Sequence, residues 1–468
     1  MTEVTLVIPQ RVHIVGIGGI GLSAIARVLL ARGAQVSGSD LNASPITEEL
    51  AKLGAKIFIG HRAENVGEVD LVLVTSAAPA DNPEIVQAAR RGIRIGKRYD
   101  FFPELTAGKT TIAVAGTHGK TTTTGMIATI LVDADLDPDV IVGGIIPELN
   151  GNARAGRGRY FVIEADEYGS AFLGLRPAVA IVTSIEMDHP DIFRDVDAVA
   201  QAFREFMALV PRDGLIVGCG DSERVARELQ SAAAQTIQYG FGEPNDWRAT
   251  GIRLNADGGS DFTVLRGREL IGEFGLRIPG EHNVLNALAA LVVADRVGID
   301  VSRARESLRR FRGAARRFEV KGEFGGVTII DDYAHHPSEI RATLAAARAR
   351  YAGRKTWAVF QPHTFSRTRA LLDDFANAFG DADHVIVTEI FAARERDAQG
   401  VSGKQIVERI IHPDARFIAA LDATAEFLAQ HLHAGEVLIT LGAGDIYRVA
   451  EAVARRLQDT SRHALPRP

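Results

Sequence analysis

The residues best equipped for chemistry are Gly116-Thr117-His118-Gly119-Lys120-Thr121-Thr122-Thr123, set between an apolar run and a helical pattern. Thr110–Ala115 reads as a strand, and Met126, Ile127, Ile130 and Leu131 share one face of the helix that follows. Backbone N–H groups in such a turn point inward around phosphate oxygens, and the helix N-terminus adds partial positive charge. A lysine then reaches the terminal phosphates, and a threonine hydroxyl is free for Mg²⁺. The run departs from the strict GxxxxGK[ST] pattern, because Val114 stands where its first glycine is due. The loop points to ATP.

A second glycine-rich turn, Gly16-Ile17-Gly18-Gly19-Ile20-Gly21, follows the first strand, and Asp40 ends the next one. This is the form of a dinucleotide fingerprint: tight turn, close approach to a pyrophosphate, acidic group on a ribose hydroxyl. NAD, FAD and UDP-sugars all satisfy it. Glu164-Ala165-Asp166-Glu167 and Asp188-His189 each close a strand of the central block. Ligands of parallel sheets gather at the carboxyl ends of strands, so these groups can converge with the phosphate loop and hold Mg²⁺. Surface ion pairs are the plainer reading of each taken singly. Three further strand ends carry Asp331-Asp332-Tyr333-Ala334-His335-His336-Pro337, Gln361–Arg367 and Gly442–Asp445. Arg316-Arg317, at a junction, can reach phosphates or stay solvated.

These groups need parallel sheets to bring them together, and the patterning supplies them. Short apolar runs at Val12–Val15, Ala34–Gly38, Lys56–Ile59 and Leu71–Thr75 alternate with helices, as in βαβ units. The rhythm resumes at Tyr160–Ile163, Val179–Ile185 and Leu215–Gly218, and again at Val327–Ile330, Trp357–Phe360, Val385–Thr388 and Val437–Leu441. Residues 251–280 read as antiparallel hairpins, followed by helices Asn283–Val297 and Ser302–Phe311, the second capped by Ser302. The expected fold is α/β in three domains, each with a mainly parallel sheet. They are a Rossmann-like domain over 1–106, a P-loop ATPase-like domain with a small antiparallel sheet over 107–313, and a Rossmann-like domain over 314–468. The stretch Asp459–Pro468 reads as frayed.

With 468 residues the chain has room for about three cores, and its net charge of −6 argues against a nucleic-acid surface. The single cysteine, Cys219, sits in an apolar run and reads as core in a reducing compartment. No apolar run reaches the roughly 18 residues a membrane span needs, and no signal pattern opens the chain. A cytoplasmic enzyme acting on small molecules, with neither nucleic acid nor membrane as partner, is expected, as a monomer or weak homodimer.

Taken in order, Gly116–Thr123, Glu164–Glu167, Asp188-His189, Gly280-Glu281-His282-Asn283 and Arg316-Arg317-Phe318-Glu319 resemble the motifs of the Mur ligases, cell-wall peptide ligases. The resemblance runs through nearly the whole chain. Gly16–Gly21, Asp331–Ile340, Phe360–Thr368 and Gly442–Tyr447 look most like the branch that joins L-alanine to UDP-N-acetylmuramate through an acyl phosphate. It implies that Gly116, Thr117, His118, Gly119, Lys120, Thr121, Thr122, Asn283, Arg317 and Asp332 serve ATP. Thr121, Glu164 and His189 would hold Mg²⁺. Gly16, Gly18, Gly19, Gly21, Asp40 and Ser76 would bind the UDP-sugar, and His335, His336, His363 and Arg367 would line the amino-acid site. Lys120, Glu164, His189, His336 and Arg367 are the catalytic set so implied. Several relatives carry a carbamylated lysine in the central domain; here no lysine lies between Lys120 and Lys321, as in the alanine-adding branch. Some relatives have an arginine where Thr364 stands, so the grip on the amino-acid carboxylate falls to Arg367 or elsewhere. A sister ligase that recycles a tripeptide onto the same sugar is the alternative within the family. A nicotinamide-dependent dehydrogenase explains only the first glycine loop, and a nucleotide sensor has no need of the metal set.

Overall fold

The computed structural model describes residues 8–396 and 400–463. Three sheets follow one another along the chain. The first holds β1 (Arg11–Val15), β2 (Gln35–Asp40), β3 (Lys56–Ile59), β4 (Leu71–Val74) and β5 (Arg94–Gly96), ordered 3-2-1-4-5. All its pairings are parallel. Strand order reverses between β1 and β4, which opens a crevice beside Gly16–Gly21.

The second sheet holds β6 (Thr110–Ala115), β7 (Asp139–Ile146), β8 (Gly151–Arg154), β9 (Tyr160–Glu164), β10 (Val179–Val182), β11 (Leu215–Cys219), β12 (Gln235–Gly240), β13 (Trp247–Leu254), β14 (Ser260–Arg266) and β15 (Glu269–Gly275). Its order is 15-14-13-12-11-10-6-9-7-8, with β6 flanked by β10 and β9. The pairs β13–β14, β14–β15 and β7–β8 are antiparallel. The expected hairpins are therefore present, at one edge. The third sheet holds β16 (Glu319–Phe324), β17 (Val327–Asp332), β18 (Thr356–Phe360), β19 (His384–Val387), β20 (Ala415–Phe417) and β21 (Val437–Leu441), ordered 16-17-21-18-19-20. Only β16 runs antiparallel to its neighbour.

Four local expectations need correction. The strand expected to reach Ile185 stops at Val182; beyond it the Thr183 hydroxyl donates to His118 O, and Ser184 accepts from Thr117 N and His118 N of the phosphate loop. The helix Lys120–Asp133 is buried all round from Thr121 to Leu131, not on one face, since it is sandwiched between its sheet and the helix Glu281–Arg296. The cap of the helix Val301–Arg310 is Asp300, whose carboxylate accepts the Ser302 N–H at 2.8 Å. The helix Tyr447–His463 runs into the segment expected to fray, and residues 464–468 lie outside the described residues.

The apolar interior divides unevenly. One continuous core joins the first sheet to a face of the second, from Val12, Leu29 and Phe101 through Phe161 and Phe172 to Phe203 and Phe206. The third sheet keeps separate cores on its two faces, built around Phe360, Phe375 and Ile439 and around Ile329, Ile386 and Val449. Cys219 is buried, and that burial pushes its thiol up to about 11. No helix among the described residues is long and apolar enough to cross a membrane.

Candidate active site

The phosphate loop leaves β6 at Gly116, where φ is +139° and an added Cβ would lie 1.9 Å from Thr183 Oγ1. Only glycine fits there. Thr117 N donates to Ser184 O at 2.9 Å, His118 N to Ser184 Oγ at 3.0 Å, and Glu186 N to Thr117 Oγ1 at 2.9 Å. The loop after β10 thus fixes the phosphate loop. Gly119, at φ +79°, caps the helix that Lys120 opens.

Lys120 Nζ donates to Gly116 O at 2.5 Å and Thr117 O at 3.1 Å and lies 2.9 Å from Glu167 Oε2. Burial opposes its charge, but Glu167, Asp166 and Glu164 outweigh that and hold its pKa above the usual value. Glu164 accepts the Gly143 N–H at 2.7 Å, an approach that a Cβ on Gly143, 2.3 Å from Oε1, would prevent. Burial raises the Glu164 carboxyl despite Lys120. His189, at φ +54°, sets Nε2 3.6 Å from Glu167 and 3.7 Å from Asp188. Burial works against its charge, yet these two carboxylates raise its pKa.

A divalent cation suits this donor set. Asp166, Glu167 and His189 offer ligand atoms within 4.8 Å of one another, and His189 Nδ1 is buried without a hydrogen-bond partner. Thr121 and Glu164 border the same corner.

Between the second and third sheets lies a cavity of about 270 Å³. Gly119, Thr121 and Thr122 form its floor, His282 and Asn283 one wall, and Arg317, Phe318, Asp332 and Glu339 the other. Asn283 donates its amide N–H to Pro279 O at 2.7 Å and accepts from Asn286 Nδ2 on Oδ1 at 3.2 Å. Asp332 is equally committed, accepting from Phe318 N and Ala334 N at 2.8 Å and from Thr343 at 3.1 Å. Burial pushes its pKa up to about 6. Asp332 thereby shapes the turn that presents Arg317 while lining the same cavity. The basic pair divides: Arg316 turns inward to Asp331 at 2.8 Å and Gly442 O at 2.8 Å, whereas Arg317 faces the cavity, 3.4 Å from Glu339.

Polar contacts cross this seam. His118 lies 3.5 Å from Glu186 and 3.3 Å from Glu339. Burial disfavours its charge, but the two carboxylates raise its pKa to about 9. Arg367 Nε donates to Asp188 Oδ1 at 2.7 Å, with both side chains buried. Ser338 Oγ donates to Glu186 at 2.6 Å, and His336 Nε2 lies 3.1 Å from Met187 O. His336 also caps the helix Pro337–Arg350, its Nδ1 accepting the Ser338 N–H at 3.3 Å. Both its nitrogens are used in this arrangement. His335, His363 and Arg367 do cluster: the two imidazoles are 5.9 Å apart and Arg367 Nη1 reaches His363 Nδ1 at 3.1 Å.

In the first sheet, Gly16 N and Ile17 N donate to Ser39 O at 2.8 and 3.0 Å, and Gly18 N to Asp40 Oδ2 at 2.9 Å. Gly19 caps the helix Ile20–Ala31. Ser76 is exposed on the turn after β4, next to Thr75, which packs on Gly16. Sequence reasoning missed Glu339, His282 and Arg98. Glu339 closes a capping box with His336, a spacing readable from the sequence. His282 is held neutral by burial, its pKa down to about 4. Arg98 pairs with Asp166 and approaches Gly21, linking the first glycine loop to the carboxylate corner, and no sequence pattern marks it.

The site combines a phosphate loop, a carboxylate-rich cation corner and an imidazole–arginine cluster on a separately packed domain, which is the equipment of an ATP-dependent ligase. Residues 11–110 match the Mur ligase family catalytic domain, 114–294 the Mur ligase middle domain and 316–444 the Mur ligase glutamate ligase domain. The chain is 44% identical to the UDP-N-acetylmuramate–L-alanine ligase of Caldanaerobacter subterraneus over 94% of its length and 96% of the relative's. It is equally 44% identical to the enzyme of that name from Geobacter sp. strain M21, over 96% and 98%. Among solved structures, the UDP-N-acetylmuramate–alanine ligase of Thermotoga maritima superposes with a TM-score of 0.83 at 31% identity, over 96% and 99% of the two chains. A murein peptide ligase of Psychrobacter arcticus gives 0.73 at 27%, over 96% and 99%. The chain belongs to the Mur ligase family.

Proposed function

We propose that this chain joins L-alanine to the lactyl carboxylate of UDP-N-acetylmuramate, splitting ATP to ADP and phosphate, in peptidoglycan precursor synthesis. The observation that carries the reading is the polar seam. There the phosphate loop lines the cavity, Lys120 pairs with Glu167 of the carboxylate corner beside it, and Arg367 ties the imidazole–arginine cluster to Asp188, in a chain with close alanine-ligase relatives. The Gly16–Gly21 crevice takes the UDP moiety, with Asp40 beside it and Ser76 on the facing turn.

The lactyl carboxylate oxygen attacks the γ-phosphorus, the bond to the ADP oxygen breaks, and an acyl phosphate forms. Lys120 and the N-terminus of its helix neutralise charge growing on the transferred group. Thr121, Glu164 and His189 hold Mg²⁺, which when bound supplies further positive charge. The alanine nitrogen then attacks the acyl carbon, and the tetrahedral intermediate expels phosphate.

Hydrogen-bond partners sort the candidate bases. His336 has both nitrogens occupied, and His363 accepts from Arg367 on Nδ1, which leaves its proton on Nε2. His335 places Nδ1 3.0 Å from Tyr333 O, donating there and keeping a lone pair on Nε2. Burial lowers its pKa to about 3, and an adjacent phosphate restores basicity. His335 takes the amine proton. Every group in this scheme comes from one chain, so a monomer suffices. Its substrates, ATP and a UDP-sugar, place the reaction in the cytoplasm.

The test is phosphate release from ATP with Mg²⁺, comparing L-alanine, glycine, L-serine and the tripeptide as acceptors with and without UDP-N-acetylmuramate. Release requiring both the sugar and L-alanine supports the reading. Release with tripeptide alone moves the chain to the recycling branch.

A further inference from the structure

The segment after β19 runs alongside the residues that follow β18. Thr364 N donates to Phe391 O at 2.9 Å, Phe391 N to Pro362 O at 2.8 Å, and the Phe391 ring stacks on His363 at 5.8 Å. Glu395 fixes the far side, accepting the N–H groups of Phe365 at 2.6 Å and Ser366 at 3.0 Å. Between these anchors Ala393 takes φ +51°, a left-handed conformation unusual for alanine, which turns the chain and sends Arg394 across the seam. There Arg394 lies 4.3 Å over the Tyr168 ring and donates to Asp191 at 2.6 Å. Tyr168 itself meets His189 edge-on at 5.1 Å and donates its hydroxyl to Asp191 at 3.1 Å. Arg394 thus reaches the corner shared by His189 and His363.

The cluster's other arginine is differently employed. Arg367 is 3% exposed and committed to Asp188 and His363. The Arg394 side chain is 36% exposed, and among the described residues its carboxylate partner is Asp191. A guanidinium has five N–H donors in a planar fork suited to a second carboxylate, and stacking on an aromatic face restrains it at little entropic cost. It also stands close enough to help Arg367 and His335 keep the buried His363 unprotonated.

We propose that Arg394, held over Tyr168, receives the α-carboxylate of the incoming amino acid and so turns its amine toward the acyl phosphate. This rests on the reading of the site as an amino-acid ligase. Arg367 then acts as a positioning residue for His363 and the domain seam, while Arg394 is the substrate contact.

The test is steady-state kinetics of the full-length protein and its Arg394→Ala and Arg394→Lys variants, with L-alanine and with L-alaninamide, which lacks the carboxylate. Losing a charge-assisted contact should raise the KM for L-alanine at least about 30-fold in Arg394→Ala, with Arg394→Lys recovering part of the loss. KM for ATP and UDP-N-acetylmuramate should stay within about twofold. The wild-type preference for L-alanine over its amide should collapse in Arg394→Ala. An unchanged preference with an unchanged KM overturns the proposal. Should the wild type use a different amino acid, the proposed acceptor is wrong, and comparing that acceptor with its own amide still decides whether Arg394 holds a carboxylate.

Discussion

The molecule has two seams of opposite chemistry. The first and second sheets share one continuous apolar core, with Phe101 and Phe172 inside it. The second and third sheets meet instead through His118–Glu339 and Ser338–Glu186, which line the cavity, and through Arg367–Asp188 and Arg394–Asp191. Apolar burial resists separation into water, whereas ion pairs and hydrogen bonds exchange with water at small net cost. In the proposed scheme the apolar seam is the fixed platform for the UDP-sugar, and the polar seam is the one that would open to admit ATP and close to keep water from the acyl phosphate. Scattering profiles that become more compact only when ATP and the UDP-sugar are both present would agree with this division.

Variants on the two sides should fail in different ways. The largest effect is expected for Lys120→Ala, which removes the positive charge facing the transferring phosphoryl group. Turnover per folded molecule should fall about 10³-fold, and loss of the buried Lys120–Glu167 pair should also lower the unfolding midpoint. Retained turnover would break the assignment of the loop. On the apolar seam, Phe101→Ala should cost about 3–5 kcal/mol of stability and leave turnover per folded molecule nearly unchanged, read by denaturant titration beside activity. A smaller effect is expected for Asp188→Ala, which leaves Arg367 buried and unpaired only when the seam is shut. The closed arrangement then suffers, and turnover should drop about 10²-fold with little change in thermal midpoint.

The smallest effect is a pH dependence of closure. Against its burial, Glu186 on its own side and Glu339 across the seam raise the pKa of His118 to about 9, so the Glu339 part of that stabilisation of the charged form favours the closed arrangement. That contribution is complete below its ordinary value of 6.5 and is lost as pH rises through about 9. Nucleotide-free protein should accordingly loosen between pH 7 and 10, as followed by energy transfer between labels on the second and third sheets. His118→Ala should abolish the pH dependence.

Much of this was legible in the residues. Strand–turn–helix punctuation located both glycine loops, since close backbone approach demands glycine at Gly116 and Gly18, where a Cβ would strike Thr183 and Asp40. The parallel sheets followed from apolar runs of strand length. What stayed hidden depends on partners far along the chain. His336 looks like a ligand in sequence, yet Ser338 and Met187 occupy its nitrogens. Asp332 looks like a phosphate neighbour, yet Phe318 N, Ala334 N and the Thr343 hydroxyl already bond its oxygens. The short β5, β8 and β20 carry too few apolar residues to announce themselves beside the turns around them. Arg394 follows no motif, and it matters only because Phe391 and Glu395 pin its loop against His363 and Ser366.

The central claim is that the sugar's carboxylate is activated by phosphoryl transfer at the polar seam. It is tested most directly with UDP-N-acetylmuramate labelled with ¹⁸O in both lactyl carboxylate oxygens. Turnover with ATP and L-alanine should deliver one label to the released phosphate and leave the other in the amide. Phosphate free of ¹⁸O would show that ATP is split without forming an acyl phosphate and would contradict the account.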